Sequence, residues 1–465
     1  MKHGIRSLTL AAAVVAMGCA IVARDARPRQ PDAELLHAAM QQLTDVIVYD
    51  IFSPPQASRV YAYASVAAYE VLRQSHPAYR TLAGQVNGLT PVPVPKSGAE
   101  YSMPLAGIHA FMTVGRQLTF SRPRMDSLRS AMDDRIRSSG VSAEVAERSI
   151  AYGDTVAKHI LAWAAKDRFA QTRGYPKYTV MSTPGRWVPT PPAYMDGIEA
   201  NWGVLRPFVM DSGGQFKPPP PPPFDTTRGS AFMEDVREVH RTANALTDEQ
   251  RAIAAFWDCN PYVMHVQGHA MFATKKITPG GHWMSIAGIA SREADADLMR
   301  TAEAYARTAL ALADGFISAW EEKYRSNLAR PETMINAYLD EKWEPVLQTP
   351  PFPEYPSGHS VISNAAAVVL TELYGSAFAF ADSSELSYGL PIRTFTSFEA
   401  AAAEAAMSRL YAGIHFRPAI EEGALMGRKV GSLVNSRVVT RDPAVARTVA
   451  TGGAPKRAAP AGQRF

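Results

Sequence analysis

The segment from Pro351 to Ser360, PFPEYPSGHS, places hydroxyl, backbone and imidazole groups directly after a run of prolines. The residues after Gly358 are typical of a helix that ends at Gly375, so Ser357 is predicted to be its N-cap. The first turn of a helix has unpaired N–H groups and a partial positive charge, which could bind an anion. From this segment alone, an anion site and an ordinary capped helix are equally consistent with the sequence.

Two other segments contain cations at positions where helices end. Lys323 and Arg330 bracket the end of a long alanine-rich helix, and Pro331 prevents this helix from continuing. Farther along the chain, Arg409 and His415 lie around a predicted helix–helix junction, where side chains can converge. Such cations match the charge of an oxyanion, and two arginines could each bind it bidentately.

The junction itself is predicted from helix start signals. Thr396 and Glu399 have the spacing of a capping box, and the helix that they would start runs towards Arg409. Pro418 is predicted to lie in the first turn of the following helix. Arg409 and His415 would therefore flank the turn between these two helices.

Together, the three segments resemble the signature motifs of the superfamily of type-2 phosphatidic acid phosphatases and vanadium-dependent haloperoxidases. The matching residues are Lys323, Arg330 and Pro331; Pro356, Ser357, Gly358 and His359; and Ser408, Arg409 and His415. The stretch from about Phe256 to Gly431 is similar to the soluble haloperoxidase-like branch of this superfamily. The N-terminal half resembles the same branch only loosely.

The resemblance implies an all-α helical bundle of the acid phosphatase/vanadium haloperoxidase type, with few or no strands, that holds vanadate or phosphate. It also implies a set of oxyanion-binding residues: Lys323, Arg330, Ser357, Gly358 and Arg409. His415 would bond through a ring nitrogen to vanadium or phosphorus, and His359 would act opposite it as the general acid–base. The implied enzyme is a vanadium-dependent haloperoxidase that oxidises halide with hydrogen peroxide.

Two alternatives stay open at this point. A secreted acid phosphatase would use the same pocket to hydrolyse phosphomonoesters, with His415 as the nucleophile that forms a phosphohistidine. A non-catalytic oxyanion-binding protein is suggested by Ala419, because the family often has an acidic residue four positions after the third-motif histidine. Glu421 or Glu422 could supply the missing carboxylate that orients His415.

Helical periodicity dominates the long segments, and sustained alternation is nearly absent, so few and short strands are expected. The predicted organisation is an N-terminal helical half (30–215), a proline-rich connector (216–230), a catalytic half (231–440) and a disordered tail (441–465). The run Pro218–Pro223 should adopt polyproline II. We expect it to be a stiff connector, with a docking ligand for another domain as the alternative.

The composition, with 46% hydrophobic and 20% charged residues and a net charge of +4 over 465 residues, is that of a globular protein. No block of Lys and Arg indicates nucleic acid as a partner.

Residues 1–23 have the charged start and short apolar stretch of a signal peptide, which predicts export to a periplasm or beyond and no membrane span in the mature chain. Cys19 offers a lipid-anchored alternative, and Cys259 is expected to be a buried small hydrophobe. Homo-oligomerisation is left open.

Several other residues have both a functional and a structural interpretation. His265 and His269 could lie on one helical face as metal ligands, although a structural role is favoured because no third ligand is obvious. His282 could line the pocket or pack in the core, and Phe352 could form a wall of the pocket or part of the core. Glu354 could be solvated or could tune His359.

Overall fold

The computed structural model describes residues 31–138 and 140–441. The predicted signal peptide over residues 1–23, with Cys19, and residues 442–465 of the predicted tail lie outside the described residues. Arg441, the first residue of that tail, is described: it forms a bridge with Tyr79 and an ion pair with Glu303 at 3.1 Å.

Helices dominate both halves of the described chain, as expected. The N-terminal half contains α1 (Pro31–Tyr49), α2 (Pro54–Leu72), α3 (Met103–Leu118), α4 (Arg122–Arg137), α5 (Ala143–Ala164) and α6 (Phe169–Thr172). The C-terminal half contains α7 (Ala231–Asn244), α8 (Asp248–Phe256), α9 (Pro279–Glu293), α10 (Leu298–Ser326), α11 (Pro331–Tyr338), α12 (Gly358–Tyr374), α13 (Phe398–Tyr411) and α14 (Arg417–Arg437).

The strands among the described residues form two small antiparallel hairpins. One pairs β1 (Val263–Gln267) with β2 (Ala270–Thr274), and the other pairs β3 (Phe380–Asp382) with β4 (Arg393–Phe395). The prediction of an all-α bundle with few strands is confirmed.

Most of these helices begin where a Ser, Thr or Asp side chain accepts a hydrogen bond from an N–H group of the first turn, which satisfies an otherwise unpaired donor. Such caps stand at Ser53, Ser102, Ser142, Ser230, Thr247, Thr278, Asp297, Ser357 and Ser397. The predicted N-cap Ser357 and the predicted end at Gly375 are both confirmed.

The predicted capping box at Thr396 and Glu399 is wrong. Ser397 is the N-cap of α13, and its hydroxyl accepts a hydrogen bond from the N–H of Ala400 at 3.0 Å. The cap lies one residue later than predicted because two adjacent hydroxyl residues, TS, compete for the same position. Pro418 lies in the first turn of α14, as predicted.

The 29-residue helix α10 forms the centre of the molecule, and almost all of its residues are buried. It packs against α2 from the N-terminal half and against α9, α12 and α14 from the C-terminal half. One hydrophobic core therefore continues from Leu35 to Val438 through both halves. The domain boundaries predicted from composition stay predictions.

The helices α12 and α14 approach each other closely through a stripe of glycines, Gly423, Gly427 and Gly431. A Cβ atom added at Gly427 would lie 2.1 Å from the carbonyl oxygen of Val361. At the same contact, the N–H of Ser357 donates to the carbonyl of Ala419 at 2.9 Å. This packing fixes the start of α12 against the start of α14.

The proline run lies outside regular secondary structure and contacts the segment that precedes α12. The hydroxyl of Tyr355 donates to the carbonyl of Pro219 at 2.6 Å. Among the described residues, none of the helices has the length and apolar character needed to cross a bilayer.

Candidate active site

A cavity of about 330 Å³ opens between the ends of several helices, and several of the predicted site residues line it, among them His359, Arg409 and His415. Gly358 also lines the cavity, and apolar side chains such as Trp320 and Phe352 form much of its remaining wall. Phe352 is therefore a wall of the pocket, one of the two roles expected for it. The second and third sequence motifs thus meet at one cavity, although about 50 residues separate them in the chain.

His415 is buried and held from both sides. Its Nδ1 lies 2.8 Å from Oε1 of Glu354, and its Nε2 lies 3.0 Å from Nη1 of Arg330. Because a guanidinium can only donate, Nε2 must accept, and the ring proton is therefore assigned to Nδ1, which donates to Glu354. The nitrogen that carries the lone pair is consequently Nε2, on the side of the cationic residues.

Glu354 supplies the carboxylate that orients His415, so both expectations for Glu354 are wrong. It is fully buried rather than solvated, and it bonds to His415 and to the N–H of Phe416 at 2.9 Å rather than to His359. The expected substitutes do not take this role: Glu421 is exposed and pairs with Arg417 at 3.9 Å, while Glu422 borders a separate groove. The sequence-based doubt raised by Ala419 is thereby removed.

Arg330 connects the first motif to the third. Its Nε donates to the carbonyl of Phe352 at 2.8 Å, and its Nη1 donates to the carbonyl of Ile414 at 2.9 Å as well as to His415. Its Nη2 is buried and has no hydrogen-bond partner among the described residues. One arm of the guanidinium therefore remains available to an anion.

Lys323 holds the proline-rich segment in place. Its Nζ donates to the carbonyls of Pro353 at 3.0 Å, Glu354 at 2.9 Å and Pro356 at 2.5 Å, which uses all three ammonium protons. The structure thus gives Lys323 a supporting contact with the loop before α12. Its assignment as a direct oxyanion ligand stays a prediction.

Arg409, at the end of α13, is positioned by its neighbours. Its Nε donates to Oγ of Ser408 at 2.9 Å, and its Nη2 donates to the carbonyl of Trp257 at 2.8 Å. At the start of α12, the Oγ of Ser357 accepts from the N–H and the hydroxyl of Ser360, and Gly358 leaves the helix start open towards the cavity. The predicted oxyanion-binding residues are therefore gathered around the cavity and the loop beside it.

Burial and repulsion between like charges lower the pKa values of the histidines and cations at the site. Burial, reinforced by the positive charges of Arg330 and Lys323, holds the pKa of His415 well below its usual value. Burial and the charge of Arg409 do the same to the pKa of His359. Burial also holds the pKa of Lys323 well below its usual value and lowers that of Arg330 to about 10. Both histidines are consequently neutral at neutral pH.

The pKa of the Glu354 carboxyl group is shifted in the opposite direction, upwards. Burial raises its pKa to about 7, although the charges of Arg330 and Lys323 and the N–H of Phe416 oppose this effect.

The arrangement fits a tetrahedral oxyanion. Hydrogen bonds from the three cations within the described residues go to carbonyl oxygens, a hydroxyl and an imidazole rather than to a carboxylate. Arg330 Nη2 and His359 Nε2 are buried without a partner in that part of the chain. Because buried cations and unpaired polar atoms are costly, an anion with several acceptor oxygens would satisfy this site.

The remaining histidines lie elsewhere. His265 is in β1 and stacks on Phe272, whereas His269 is in the turn between β1 and β2, so the two do not share a helical face. His282 is buried behind the cavity wall in a cluster with Cys259 and acidic residues. Sequence reasoning missed the role of Glu354, and its only sequence signal was its position two residues before Pro356.

Comparisons with known proteins agree with this geometry. A family model described as the VCPO second helical-bundle domain matches residues 303–441. The chain is similar to a structure described as the first bacterial vanadium-dependent iodoperoxidase, with a TM-score of 0.84 and 50% sequence identity, covering 88% of this chain and 98% of that one.

Two further structures, of a bacterial vanadium-dependent chloroperoxidase, match at 16% identity and support the fold alone. The holo form has a TM-score of 0.63 and covers 89% of this chain and 96% of that one. The apo form has a TM-score of 0.63 and covers 85% of this chain and 94% of that one. No curated protein matches this chain.

Proposed function

Because this chain belongs to the family of vanadium-dependent haloperoxidases, we propose that it binds vanadate among its buried cations and oxidises iodide with hydrogen peroxide. The observation that supports this most directly is the Nη2 group of Arg330, which is buried inside a cluster of three cations and has no hydrogen-bond partner within the described part of the chain. Iodide is the halide in the description of the relative that is 50% identical to this chain.

In this proposal, the cations bind and orient the vanadate. Arg330 and Arg409 supply planar arrays of N–H donors, and carbonyl and hydroxyl contacts hold each guanidinium in place before the anion arrives. Lys323 adds positive charge while it fixes the loop before α12. Gly358 allows the anion to approach the N–H groups at the helix start.

His415 contributes a neutral imidazole whose Nε2 would hold the vanadate. The carboxylate of Glu354 keeps the proton on Nδ1 and increases the basicity of Nε2, which is the usual effect of a carboxylate behind a ligating histidine. For Nε2 to hold vanadate, Arg330 Nη1 would have to give up its hydrogen bond to Nε2 and could then donate to the anion.

Vanadate, when bound, supplies the chemistry that activates hydrogen peroxide towards a halide ion. Within the chain, His359 is the group placed to move protons: its Nε2 is unpaired among the described residues, and the lowered pKa keeps the ring neutral at neutral pH. Nε2 can therefore accept a proton from incoming peroxide and return it to a leaving oxygen. Trp320 and Phe352 provide apolar surface that suits the large, weakly hydrated iodide ion.

The test uses the purified full chain in two assays. One sample receives orthovanadate, hydrogen peroxide and iodide, with bromide and chloride in parallel reactions. The other receives an aryl phosphate without vanadate. We expect iodide oxidation that depends on vanadate and is lost in His415→Ala. The matched control His265→Ala changes a histidine in the hairpin and should keep the wild-type rate, and circular dichroism checks that both variants are folded.

The other outcomes would overturn the proposal in different ways. Phosphate release without iodide oxidation would indicate the acid phosphatase alternative. No turnover in either assay, with vanadate still bound, would indicate an oxyanion-binding protein. Loss of activity in His265→Ala as well as in His415→Ala would show that the assay reports on something other than this cavity.

We also propose that the chain is exported and that residues 1–23 are removed, because their charged start and short apolar stretch have the form of a signal peptide. Intact-mass analysis of the protein from cell fractions tests this. A mature mass that begins at Cys19 with added lipid would favour the lipid-anchored form, and a full-length mass in every fraction would contradict export. Light scattering of the same material would give the oligomeric state.

A further inference from the structure

A second cluster of chemically active side chains lies behind the cavity wall, and the proposed reaction does not use it. It consists of Cys259, His282, Asp382 and Glu385, each at most 1% exposed. Cys259 follows α8, His282 is in the first turn of α9, and the two acidic residues belong to the segment around and after β3. Three separate parts of the chain therefore meet at this point.

His282 is at the centre of this cluster, which we call the Cys259 cluster. Its Nε2 lies 2.8 Å from Oδ2 of Asp382. Its Nδ1 lies 3.4 Å from Sγ of Cys259 and 3.2 Å from Oε1 of Glu385. The three atoms Sγ, Nδ1 and Oε all lie within 4.8 Å of one another. One ring nitrogen thus faces a carboxylate, while the other faces a thiol and a second carboxylate.

The two separations from Nδ1 match those between ligands of a tetrahedral zinc ion. With Zn–N, Zn–S and Zn–O bonds of the usual lengths, tetrahedral angles place N and S about 3.6 Å apart and N and O about 3.4 Å apart. The observed 3.4 Å and 3.2 Å are within about 0.2 Å of these values. The pairing of Nε2 with Asp382 is the arrangement that commonly orients a zinc-bound histidine.

Glu385 provides an independent indication that the Cys259 cluster can bind a ligand. Both of its carboxylate oxygens are buried and without a hydrogen-bond partner among the described residues, although Oε1 lies beside the ring of His282. A buried carboxylate without hydrogen bonds is costly. Asp382, by contrast, also accepts from the N–H and the hydroxyl of Ser384. A cation between Glu385, Cys259 and His282 would satisfy the unpaired oxygens.

We propose that Cys259, His282 and Glu385 bind a zinc ion, with Asp382 orienting the histidine. The ligand set of thiolate, imidazole and carboxylate is the combination that zinc accepts, whereas magnesium and calcium prefer oxygen alone. On binding, the thiol of Cys259 loses its proton to solvent and becomes a thiolate. The ion would join the end of α8, the start of α9 and the loop after β3, and so would support the wall of the cavity that Cys259 lines.

Without a metal, the same side chains would have to be stabilised by a proton. His282 would then be an imidazolium between Asp382 and Glu385, with Cys259 as a neutral thiol. The two arrangements contain the same residues but differ in composition, since only one of them contains zinc. Metal content therefore distinguishes them.

The experiment measures zinc in the purified full chain by elemental mass spectrometry, after incubation with zinc chloride and removal of the excess by dialysis. We expect one equivalent of zinc per chain in the wild type. Cys259→Ser and Glu385→Gln each remove a proposed ligand, so both variants should lose zinc on dialysis. Substitution with Co²⁺ should give a sulfur-to-cobalt charge-transfer band that is missing in Cys259→Ser.

Two controls separate this site from adventitious binding and from unfolding. His265→Ala removes an imidazole from the hairpin between β1 and β2 and should retain the full equivalent of zinc. Thermal melts followed by circular dichroism show whether each variant is folded, and a chelator should lower the melting temperature of the wild type but not that of Cys259→Ser. Zinc-free wild type after reconstitution, or Cys259→Ser with the same zinc content and cobalt spectrum, would overturn the proposal.

Discussion

The replacement Arg330→Lys tests how the cationic site recognises an anion, because it keeps the positive charge and removes the planar guanidinium. Arg330 makes three hydrogen bonds from two of its nitrogens, to Phe352, Ile414 and His415. The third nitrogen is unpaired among the described residues. A lysine ammonium is a compact donor and cannot reach these directions simultaneously.

The expected losses of stability and of vanadate affinity follow from the number of hydrogen bonds that the replacement removes. A hydrogen bond that involves a charged group contributes about 1.5–3 kcal/mol. Loss of two of the three protein contacts leaves buried carbonyl groups unpaired, so we expect the vanadate-free variant to lose about 3 kcal/mol or more of unfolding free energy. Loss of the donor at Nη2 removes one charge-assisted bond to vanadate, which weakens binding by about 10- to 100-fold.

Two measurements keep these effects apart. Urea denaturation without vanadate gives the stability, and isothermal titration with orthovanadate below the unfolding range gives the affinity. The matched control is Arg428→Lys on α14, since Arg428 is exposed and makes one side-chain hydrogen bond among the described residues, to Asn364 at 3.1 Å. We expect the control to change stability by less than about 1 kcal/mol and affinity by less than about twofold.

The reasoning would be refuted if Arg330→Lys bound vanadate within about threefold of the wild type while remaining folded, since charge alone would then account for recognition. An equal loss of affinity in Arg428→Lys would also contradict it, because that residue does not contact the cavity. A loss of stability without a loss of affinity would restrict Arg330 to a structural role.

Three further predictions follow from the packing and the ionisation of the site. Gly427→Ala should destabilise the protein by about 1–3 kcal/mol in urea denaturation, because the added Cβ would lie 2.1 Å from the Val361 carbonyl; unchanged stability would contradict such close helix packing. Glu354→Ala should cost about 2–4 kcal/mol because two buried N–H donors lose their acceptor, whereas Glu422→Ala should cost less than about 0.5 kcal/mol; similar losses would refute the assignment. Because the folded state holds the pKa of His359 below its unfolded value of about 6.5, the unfolded chain binds the extra proton as pH falls through that value. The stability of vanadate-free wild type relative to His359→Asn should therefore fall by up to about 1.4 kcal/mol per pH unit below about pH 6.5, and a pH-independent difference would contradict the lowered pKa.

Much of the candidate site could be predicted from sequence because its motifs are local. Ser357 and Gly358 are placed by a helix start, and a cap can be recognised from the residues on either side of it. Arg409 and His415 lie on either side of a helix–helix turn whose second helix begins, as predicted, around Pro418. The adjacent threonine and serine at the start of α13 show the limit of this reasoning, since either hydroxyl could serve as the cap.

Glu354 was misjudged because its partner lies far away in the chain. Glu354 and His415 are 61 positions apart, and the depth at which the carboxylate is buried depends on how the proline-rich segment folds over α10. With alanine at position 419, the sequence alone therefore suggested that His415 lacks the carboxylate that orients its ring. His265 and His269, for which a structural role was favoured, have helical spacing but lie in a hairpin, because the glycine between them has a φ of 58° and permits a local turn.

The sequence by itself determined the helical character of the chain and the principal helix caps, because these depend on neighbouring residues, and the resemblance to the family motifs indicated the cations and histidines of the candidate site. Only the tertiary structure decided which carboxylate orients His415, that the ammonium of Lys323 binds three carbonyls, and that Cys259 lies beside His282 and Glu385. Those outcomes depend on contacts between segments 23 to 126 positions apart. Local sequence patterns do not determine contacts between residues so far apart in the chain. These contacts are set by the packing of helices around α10 and by the glycine contact between α12 and α14.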